Sequence, residues 1–183
     1  QNFQPTDGYL NKFSQTLPLY SDDMSLENTF ISSLYHSLNN DFIFSGSFYL
    51  KTINSLEDNV RISKRIFIPG RRLRGFESGK IGPKDGSQYI GGNYAAALNF
   101  STTLPNILFE NENIDLNLFL DMANLWEVDF NETLDSSKIR SSTGFAINWF
   151  SPIGPLTLSY AVPLSEASTD ITQKLRFQIG TSF

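Results

Sequence analysis

The sequence predicts an all-β fold, an antiparallel up-and-down transmembrane β-barrel with about eight strands in this chain. Three observations carry the prediction. Apolar residues recur at every second position along nearly the whole length. The links between the alternating segments are short and long in turn, as in outer-membrane barrels. Charged residues fall on the side opposite the Phe, Leu and Ile residues.

Each segment follows from the period of two, because successive side chains of a strand point to opposite faces. Two weaker segments come first, at about 8–20 with Phe13, Leu17 and Leu19 on one face, and at 26–38 with Phe30 and Leu34. Pro18 inside the first of these marks an edge position or a bulge. Near 42–52, Phe42, Phe44, Phe48 and Leu50 oppose Ser45, Ser47, Tyr49 and Lys51. From Asn93 to Thr102, Tyr94, Ala96, Leu98 and Phe100 oppose Asn93, Ala95, Ala97, Asn99 and Ser101. Ile114, Leu116, Leu118, Leu120 and Met122 then oppose Asp115, Asn117, Phe119, Asp121 and Ala123. Around 139–150, Ile139, Phe145, Ile147 and Trp149 oppose Arg140, Ser142, Gly144 and Asn148. Leu156, Leu158, Tyr160 and Val162 alternate with Thr157, Ser159 and Ala161. In the last segment Leu175, Phe177, Ile179 and Phe183 oppose Lys174, Arg176, Gln178, Gly180 and Ser182.

Leu38-Asn39-Asn40-Asp41 and Ser151-Pro152-Ile153-Gly154-Pro155 read as short periplasmic turns. Longer polar links at about 54–87, 127–137 and 164–171 read as the outer loops; a link at about 103–113 is longer than a periplasmic turn should be. No internal repeat or linker divides the 183 residues, which are read as one barrel domain or half-domain, 1–183. The start, Gln1-Asn2-Phe3, has no initiator Met, basic region or apolar run, so the expectation is a removed signal peptide or a piece of a longer chain.

Composition narrows the function. The 14% aromatic content, mostly Phe, is high, and cysteine is absent, so no disulfide framework or thiolate metal site arises. The formal charge of −5 argues against a nucleic-acid binder. No apolar run reaches the length of a transmembrane helix. The mean hydropathy of −0.21 fits a barrel whose lipid-facing and lumen-facing residues average out. A soluble sandwich or lipocalin-like barrel would share the alternation. Its dry interior, however, could not take Arg140, Asp115, Asp121, Lys174 and Arg176. With the opposite orientation these line a wet lumen, and Tyr94, Trp126, Trp149 and Phe183 stand near strand ends, where aromatic girdles form.

Local motifs choose among barrels. In order they are Leu73-Arg74-Gly75-Phe76, Ile81-Gly82-Pro83, Gly91-Gly92-Asn93, and Leu120-Asp121-Met122-Ala123-Asn124-Leu125-Trp126-Glu127. Ser151-Pro152-Ile153-Gly154-Pro155-Leu156, Ser159-Tyr160-Ala161-Val162-Pro163-Leu164 and Phe177-Gln178-Ile179-Gly180-Thr181-Ser182-Phe183 follow. Together they resemble the C-terminal half of the barrel of the BamA family of outer-membrane protein assembly factors. The resemblance is strongest from Ile68 onward. TamA-type barrels and two-partner secretion transporters share the Arg-Gly-Phe loop and match the later motifs less well.

The resemblance implies that the loop carrying Leu73, Arg74, Gly75 and Phe76 folds into the lumen and that Arg74 meets Asp121 on the inner wall. A guanidinium fork suits a carboxylate in a way Lys could not reproduce. Phe76 and Phe119 would pack beside the pair and exclude water. Asn99 stands where the family often has a second carboxylate, so a single acid holds Arg74. The end of the chain, with Leu175, Phe177, Ile179, Gly180 and Phe183, resembles the β-signal read by the assembly machinery, and its apolar alternation makes an edge able to add to another sheet.

Size sets a choice. An eight-stranded barrel is filled by its own side chains and cannot also hold a loop of about 30 residues. Either Arg74 reaches Asp121 and the chain is half of a larger barrel, or it closes alone with the loop outside; two copies could also pair as halves. A fragment of the larger barrel is the favoured expectation. The resemblance then implies insertion and folding of outer-membrane proteins at a seam between first and last strands, without chemistry, cofactor or metal. It implies as partners unfolded outer-membrane clients, the rest of the barrel with its periplasmic repeats, assembly-complex lipoproteins and outer-membrane lipid, and no nucleic acid. The implied location is the bacterial outer membrane.

The rival classes are a small structural or adhesive eight-stranded barrel and a membrane-embedded lipid-modifying enzyme. His36 is the single histidine and lies on an outward or rim position, which leaves no triad to build. Asp22-Asp23 and Glu110-Asn111-Glu112 read as polar loop tips rather than ion sites, and Gly91-Gly92 opens a strand rather than a phosphate-binding helix.

Overall fold

Antiparallel pairing of strands of membrane-crossing length organises the chain, seen in a computed structural model that describes residues 6–18, 24–38, 42–57, 59–105, 113–134, 138–152 and 154–180. The wall strands are β1 (Gly8–Thr16), β2 (Ser25–Ser37), β3 (Ile43–Ser55), β7 (Tyr94–Pro105), β8 (Ile114–Trp126), β9 (Arg140–Ser151), β10 (Gly154–Ser165) and β12 (Leu175–Ile179). Two-residue strands β4 (Gly75–Phe76), β5 (Lys84–Asp85), β6 (Gln88–Tyr89) and β11 (Thr172–Gln173) lie in the outer loops. Six of the wall strands have 12 or 13 residues, enough to cross a bilayer at a tilt.

The wall is one sheet in the order β1-β2-β3-β7-β8-β9-β10-β12. Every neighbouring pair in it is antiparallel. Among the described residues β1 and β12 do not pair with each other, so the sheet stays open. Among the described residues the eight strands do not close on themselves.

Burial alternates with the predicted faces. On β8, Leu118 is 48% exposed while Asp121 is 0% exposed. Leu98, Phe145, Leu158, Val162 and Phe177 are exposed on the same outer side, and Ala95, Ala97, Ala123, Ala146 and Ala161 are buried on the inner one. A water-soluble protein would not show so wide an apolar surface; facing hydrocarbon, it is the expected exterior. Tyr94 opens β7 and Trp126 ends β8 at the outer rim, their rings 5.9 Å apart, while Trp149 lies near the other end of β9.

Several boundaries differ from the sequence reading. β1 ends at Thr16, so Pro18 follows the strand instead of bending it. The chain between β3 and β7 spans 56–93 rather than 54–87, because both strands run further than their clearest alternation. β7 reaches Pro105, which shortens the long periplasmic link to 106–113. Ile139 and Lys174 each stand one residue before the strand read to include them, β9 beginning at Arg140 and β12 at Leu175. Leu19, Asp22-Asp23, Asn39-Asn40-Asp41, Glu110-Asn111-Glu112, Ile153 and the last three residues with Phe183 lie outside the described residues.

The larger correction concerns the lumen, expected to be wet. Its outer half is a dry core, because loop 56–93 folds back onto the inner face. Val60, Ile66, Ile68, Leu73, Phe76 and Ile81 from the loop pack against Tyr49, Ile53, Ala95, Ala97, Ala123 and Leu125 of the wall. The alanines leave the room. At Gly82 no side chain fits: a Cβ would lie 2.3 Å from Leu125 Cδ2. The inner half remains polar, a cavity of about 520 Å³ bordered by Ser33, Ser47, Asn99, Ser101, Asn117 and Asn148 among others.

This orientation is testable in the full-length protein in lipid. Leu118→Arg puts a charge on the lipid face and is expected to cost about 2–4 kcal/mol. Asn117→Lys, on the lumen face one residue away, is expected to cost about 1 kcal/mol or less. Urea titration of heat-modifiable gel mobility reads both; equal losses would place the faces wrongly.

Candidate functional site, a loop clamped to the lumen wall

Register brings a row of polar side chains together on the inner face. Ser47 on β3 is opposite Asn99 on β7, Asn99 is opposite Asp121 on β8, and Asp121 is opposite Ser142 on β9. Parity alone puts all four on one side; pairing lines them up across four strands. The loop segment Arg72-Leu73-Arg74 lies along this row with alternate residues turned to it. Arg72 Nη1 donates to Ser47 Oγ at 2.7 Å and to Asn99 Oδ1 at 3.4 Å, and Asn99 Nδ2 donates to the Arg72 carbonyl at 2.8 Å.

Arg74 then grips Asp121. Its Nε donates to Oδ2 and its Nη2 to Oδ1, both at 2.7 Å, in the two-pronged geometry that favours arginine. The Arg74 backbone N–H adds a bond to Oδ2 at 3.1 Å, and Asn99 Nδ2 one to Oδ1 at 2.9 Å. The wholly buried carboxylate thus accepts four hydrogen bonds, which offsets the loss of water around it. The guanidinium carbon stands 3.4 Å from the centre of the Phe119 ring, a cation–π contact in a site partly shielded from solvent. Ser142 Oγ donates to the Arg74 carbonyl, so the wall also holds the loop's main chain.

The rest of the motif fits the same wall. Gly75 has φ +89°, the left-handed region open to glycine, and a Cβ there would lie 3.1 Å from Ala161 Cβ and 3.3 Å from Ser142 Cβ. Leu73 and Phe76 are each 1% exposed and anchor the loop in the dry core. β4 pairs with β11, Phe76 opposite Thr172 and Gly75 opposite Gln173, which joins the loop to the last outer hairpin. From β12, Arg176 Nη2 donates to the Phe76 carbonyl at 2.6 Å.

Two further arginine–aspartate clamps hold the outer loops. The buried Arg65 pairs with Asp129 just beyond β8, and also donates to Asn93 Oδ1 at 3.0 Å and the Val60 carbonyl at 3.1 Å. Burial alone would raise the Asp129 carboxyl. The Val60 backbone N–H at 2.7 Å, with Asn93 and Arg65, outweighs it and holds the group below the usual carboxylate range. Arg140 at the start of β9 pairs with Asp170 through Nε at 2.9 Å and Nη2 at 3.1 Å.

The predicted residues are thus divided. Leu73, Arg74, Gly75, Phe76, Phe119 and Asp121 form one cluster, with Asn99 holding Asp121 from the side. Leu175, Phe177 and Ile179 lie apart on the outer face of β12, 59%, 59% and 70% exposed, and Gly180 follows the strand. His36, at the end of β2, sits 3.2 Å from Asp7 at an exposed rim. Among the described residues no three or more His, Cys, Asp or Glu side chains group as metal ligands. Asp129, Asp170 and Ser142 escaped the sequence reading as partners. The signal available was Arg140 itself, an inward arginine at a strand start that demands an acid.

Comparison with known proteins places this architecture. The family model described as the Omp85 superfamily domain matches residues 1–183. The outer membrane protein assembly factor BamA of Neisseria meningitidis serogroup B is 30% identical over 139 aligned positions, covering 61% of this chain and 17% of that protein. BamA of Neorickettsia risticii is 29% identical, with 68% and 17% covered. A SAM50-like protein of Schizosaccharomyces pombe is 31% identical, with 68% and 28% covered. The crystal structure of BamA from Haemophilus ducreyi lacking POTRA domains 1–3 superposes with a TM-score of 0.88 at 26% identity, over 97% of this chain and 39% of that one. The chain therefore spans about a sixth of the curated BamA relatives it matches.

The clamps make two expectations. Asp121→Asn leaves Arg74, whose side chain is 20% exposed, without its counter-charge, and is expected to cost about 2–4 kcal/mol, read from urea unfolding of the full-length protein; an effect below about 1 kcal/mol would contradict the burial of the Asp121 carboxylate. At the outer rim, a carboxyl lowered on folding stabilises above its unfolded value and loses that as pH falls through the folded one. Digestion within 56–93 by an acid-active protease should therefore rise as pH falls below the usual carboxylate range of about 4. In Asp129→Asn it should be raised already at about pH 5.

Proposed function

The chain belongs to the Omp85 superfamily, and from that premise we propose that it is the C-terminal part of a BamA-type barrel whose parent protein inserts and folds other outer-membrane proteins. Its place is the bacterial outer membrane. The single observation that carries the proposal is the terminal strand: among the described residues β12 is hydrogen-bonded to β10 and stands last in the sheet, at the edge that the rest of the parent barrel would meet. Its Leu175, Phe177 and Ile179 look outward while Arg176 and Gln178 look in. In the parent barrel that edge would close against the first strand, and main-chain pairing at such a seam, with a lipid-compatible outer face, is what a client strand needs for addition.

The action asks for no chemistry and no cofactor. Main-chain pairing at the seam templates the client strand, and release follows when the client's own strands pair. The clamp of Arg74 on Asp121 keeps loop 56–93 inside the lumen, which stiffens the wall beside the seam. The partners proposed are unfolded clients, the remaining barrel strands with periplasmic repeats, assembly-complex lipoproteins and outer-membrane lipid. The open sheet counts against the rival of a small structural barrel closed on its own eight strands.

Replacing Arg74 with Ala in the full-length protein is expected to lower the level of folded clients in the outer membrane, or the factor's own folding yield. Client levels equal to wild type, with the variant present and folded, would remove the role assigned to the clamp.

A further inference from the structure

Two of the three ion pairs meet on one strand. Arg140 and Ser142 stand two residues apart on β9, so both side chains turn to the inner face, and both residues are 0% exposed. Ser142 lies opposite Asp121 and donates to the Arg74 carbonyl. Arg140 reaches the other way, to Asp170 in the last outer hairpin, 166–174. Its Nη1 also donates to Asn124 Oδ1 at 3.0 Å and to the Lys138 carbonyl at 2.9 Å, so the wall fixes the guanidinium that holds the acid. Asp170 Oδ2 accepts the Ala167 N–H at 2.7 Å, and the Asp170 N–H donates to the Ala167 carbonyl at 3.0 Å. The buried carboxylate thereby sets the turn of the hairpin itself.

From Asp170 the hairpin runs along the lumen loop. Ile171 N–H donates to the Lys80 carbonyl at 3.0 Å, and Glu77 N–H to the Ile171 carbonyl at 2.8 Å. Thr172 is opposite Phe76 and Gln173 opposite Gly75, the neighbour of Arg74. Tyr89 Oη donates to the Thr169 carbonyl. These contacts close a ring. It passes from Asp121 to Arg74, through β4 to β11, on to Asp170 and Arg140, and along β9 to Ser142, which returns to Arg74. The third pair stands outside it: Arg65 holds the entry of the loop through Asp129, Asn93 Oδ1 and the Val60 carbonyl. Entry and tip share an apolar core, but that packing is non-directional, whereas each ion pair has its own fixed partners. Opening either pair of the ring strands a buried charge and breaks the strand bridge between them, so the two yield together.

We propose that Arg140 and Asp170 are positioning residues for the clamp on Asp121. The last outer hairpin braces the Arg74–Phe76 segment against the wall, and hairpin and loop tip undock as one unit, separate from the loop entry held by Arg65. The brace stands on these contacts alone; its part in client insertion rests on the assembly reading above.

Native-state hydrogen exchange on the full-length protein in lipid, in urea below unfolding, tests the unit. In wild type the amides of Arg74, Glu77 and Ile171 should converge on one opening, their rates within about threefold, and Ile66 on another. Asp170→Asn, checked as folded by heat-modifiable mobility, should speed exchange at Arg74 about tenfold and leave Ile66 within about twofold. Asp129→Asn should do the reverse. Arg140→Lys keeps the charge and loses the fork, and should speed Arg74 by an intermediate factor. Separate urea dependences for Arg74 and Ile171 in wild type overturn the proposal. So does an unchanged Arg74 amide in folded Asp170→Asn, or an equal rise at Arg74 and Ile66, which a general loss of stability would give. Should Asp170→Asn not fold, the wild-type isotherms and Arg140→Lys decide. Client insertion separates the two readings. A folded Asp170→Asn that frees the Arg74 amide yet inserts clients like wild type removes the clamp from assembly and leaves the brace. Lost insertion with an unmoved Arg74 amide removes the brace alone.

Discussion

A carboxylate on the inner wall of a barrel is at ease in water and costly in a dry core, and Asp121 sits in the dry core. Four hydrogen bonds, two of them from the Arg74 guanidinium, make that position tenable. The dependence runs both ways. Loop 56–93 brings the apolar side chains that dry the site, and Asp121 is what fixes the loop deep enough to bring them. Without the ion pair the loop would carry an uncompensated, largely buried guanidinium against the wall. Without the loop, the inner wall would be an alanine-lined trough with too little side-chain volume to fill it.

That mutual dependence explains why the loop docks along a row rather than at a point. Extended backbone presents every second side chain to one surface. Arg72 and Arg74 therefore reach the row Ser47–Asn99–Asp121–Ser142, while Leu73 between them enters the core. Asn99 belongs to both contacts, donating to the Arg72 carbonyl and to Asp121. A second carboxylate at this position could accept from Arg72 but could not donate to Asp121, and two adjacent acids would share the charge of Arg74. An amide lets one acid suffice.

The faces of the sheet were legible in the sequence because a period of two is local: Leu118 out and Asp121 in follow from parity alone. The contact between Arg74 and Asp121 was reached through the motif's resemblance, since nothing local links residues 47 apart. Asp129 and Asp170 stayed hidden for a related reason. Each lies in an outer loop among polar residues, where an aspartate ordinarily means a turn. Their roles depend on where loop 56–93 and strand β9 arrive in space, which hydropathy does not record. The dry half of the lumen was missed because alternation shows which way a residue faces and not what later covers it. Ala95, Ala97, Ala123, Ala146 and Ala161, small where a wall residue could be large, were the trace of that cover.

The three clamps lie on the outer half of the wall: Arg65 with Asp129 beyond β8, Arg74 with Asp121 within it, and Arg140 with Asp170 at the start of β9. Toward the periplasm, the described inner face of β7 to β9 carries Ser101, Thr103, Asn117 and Asn148, joined by neutral hydrogen bonds around an open cavity. Neutral bonds in a hydrated space contribute little net stability each, because water replaces them readily. The wall is thus held more firmly at its outer end than at its inner one. Without the clamps at the outer end the wall would lose the loop that fills it, which is why the ion pairs gather where loop 56–93 docks.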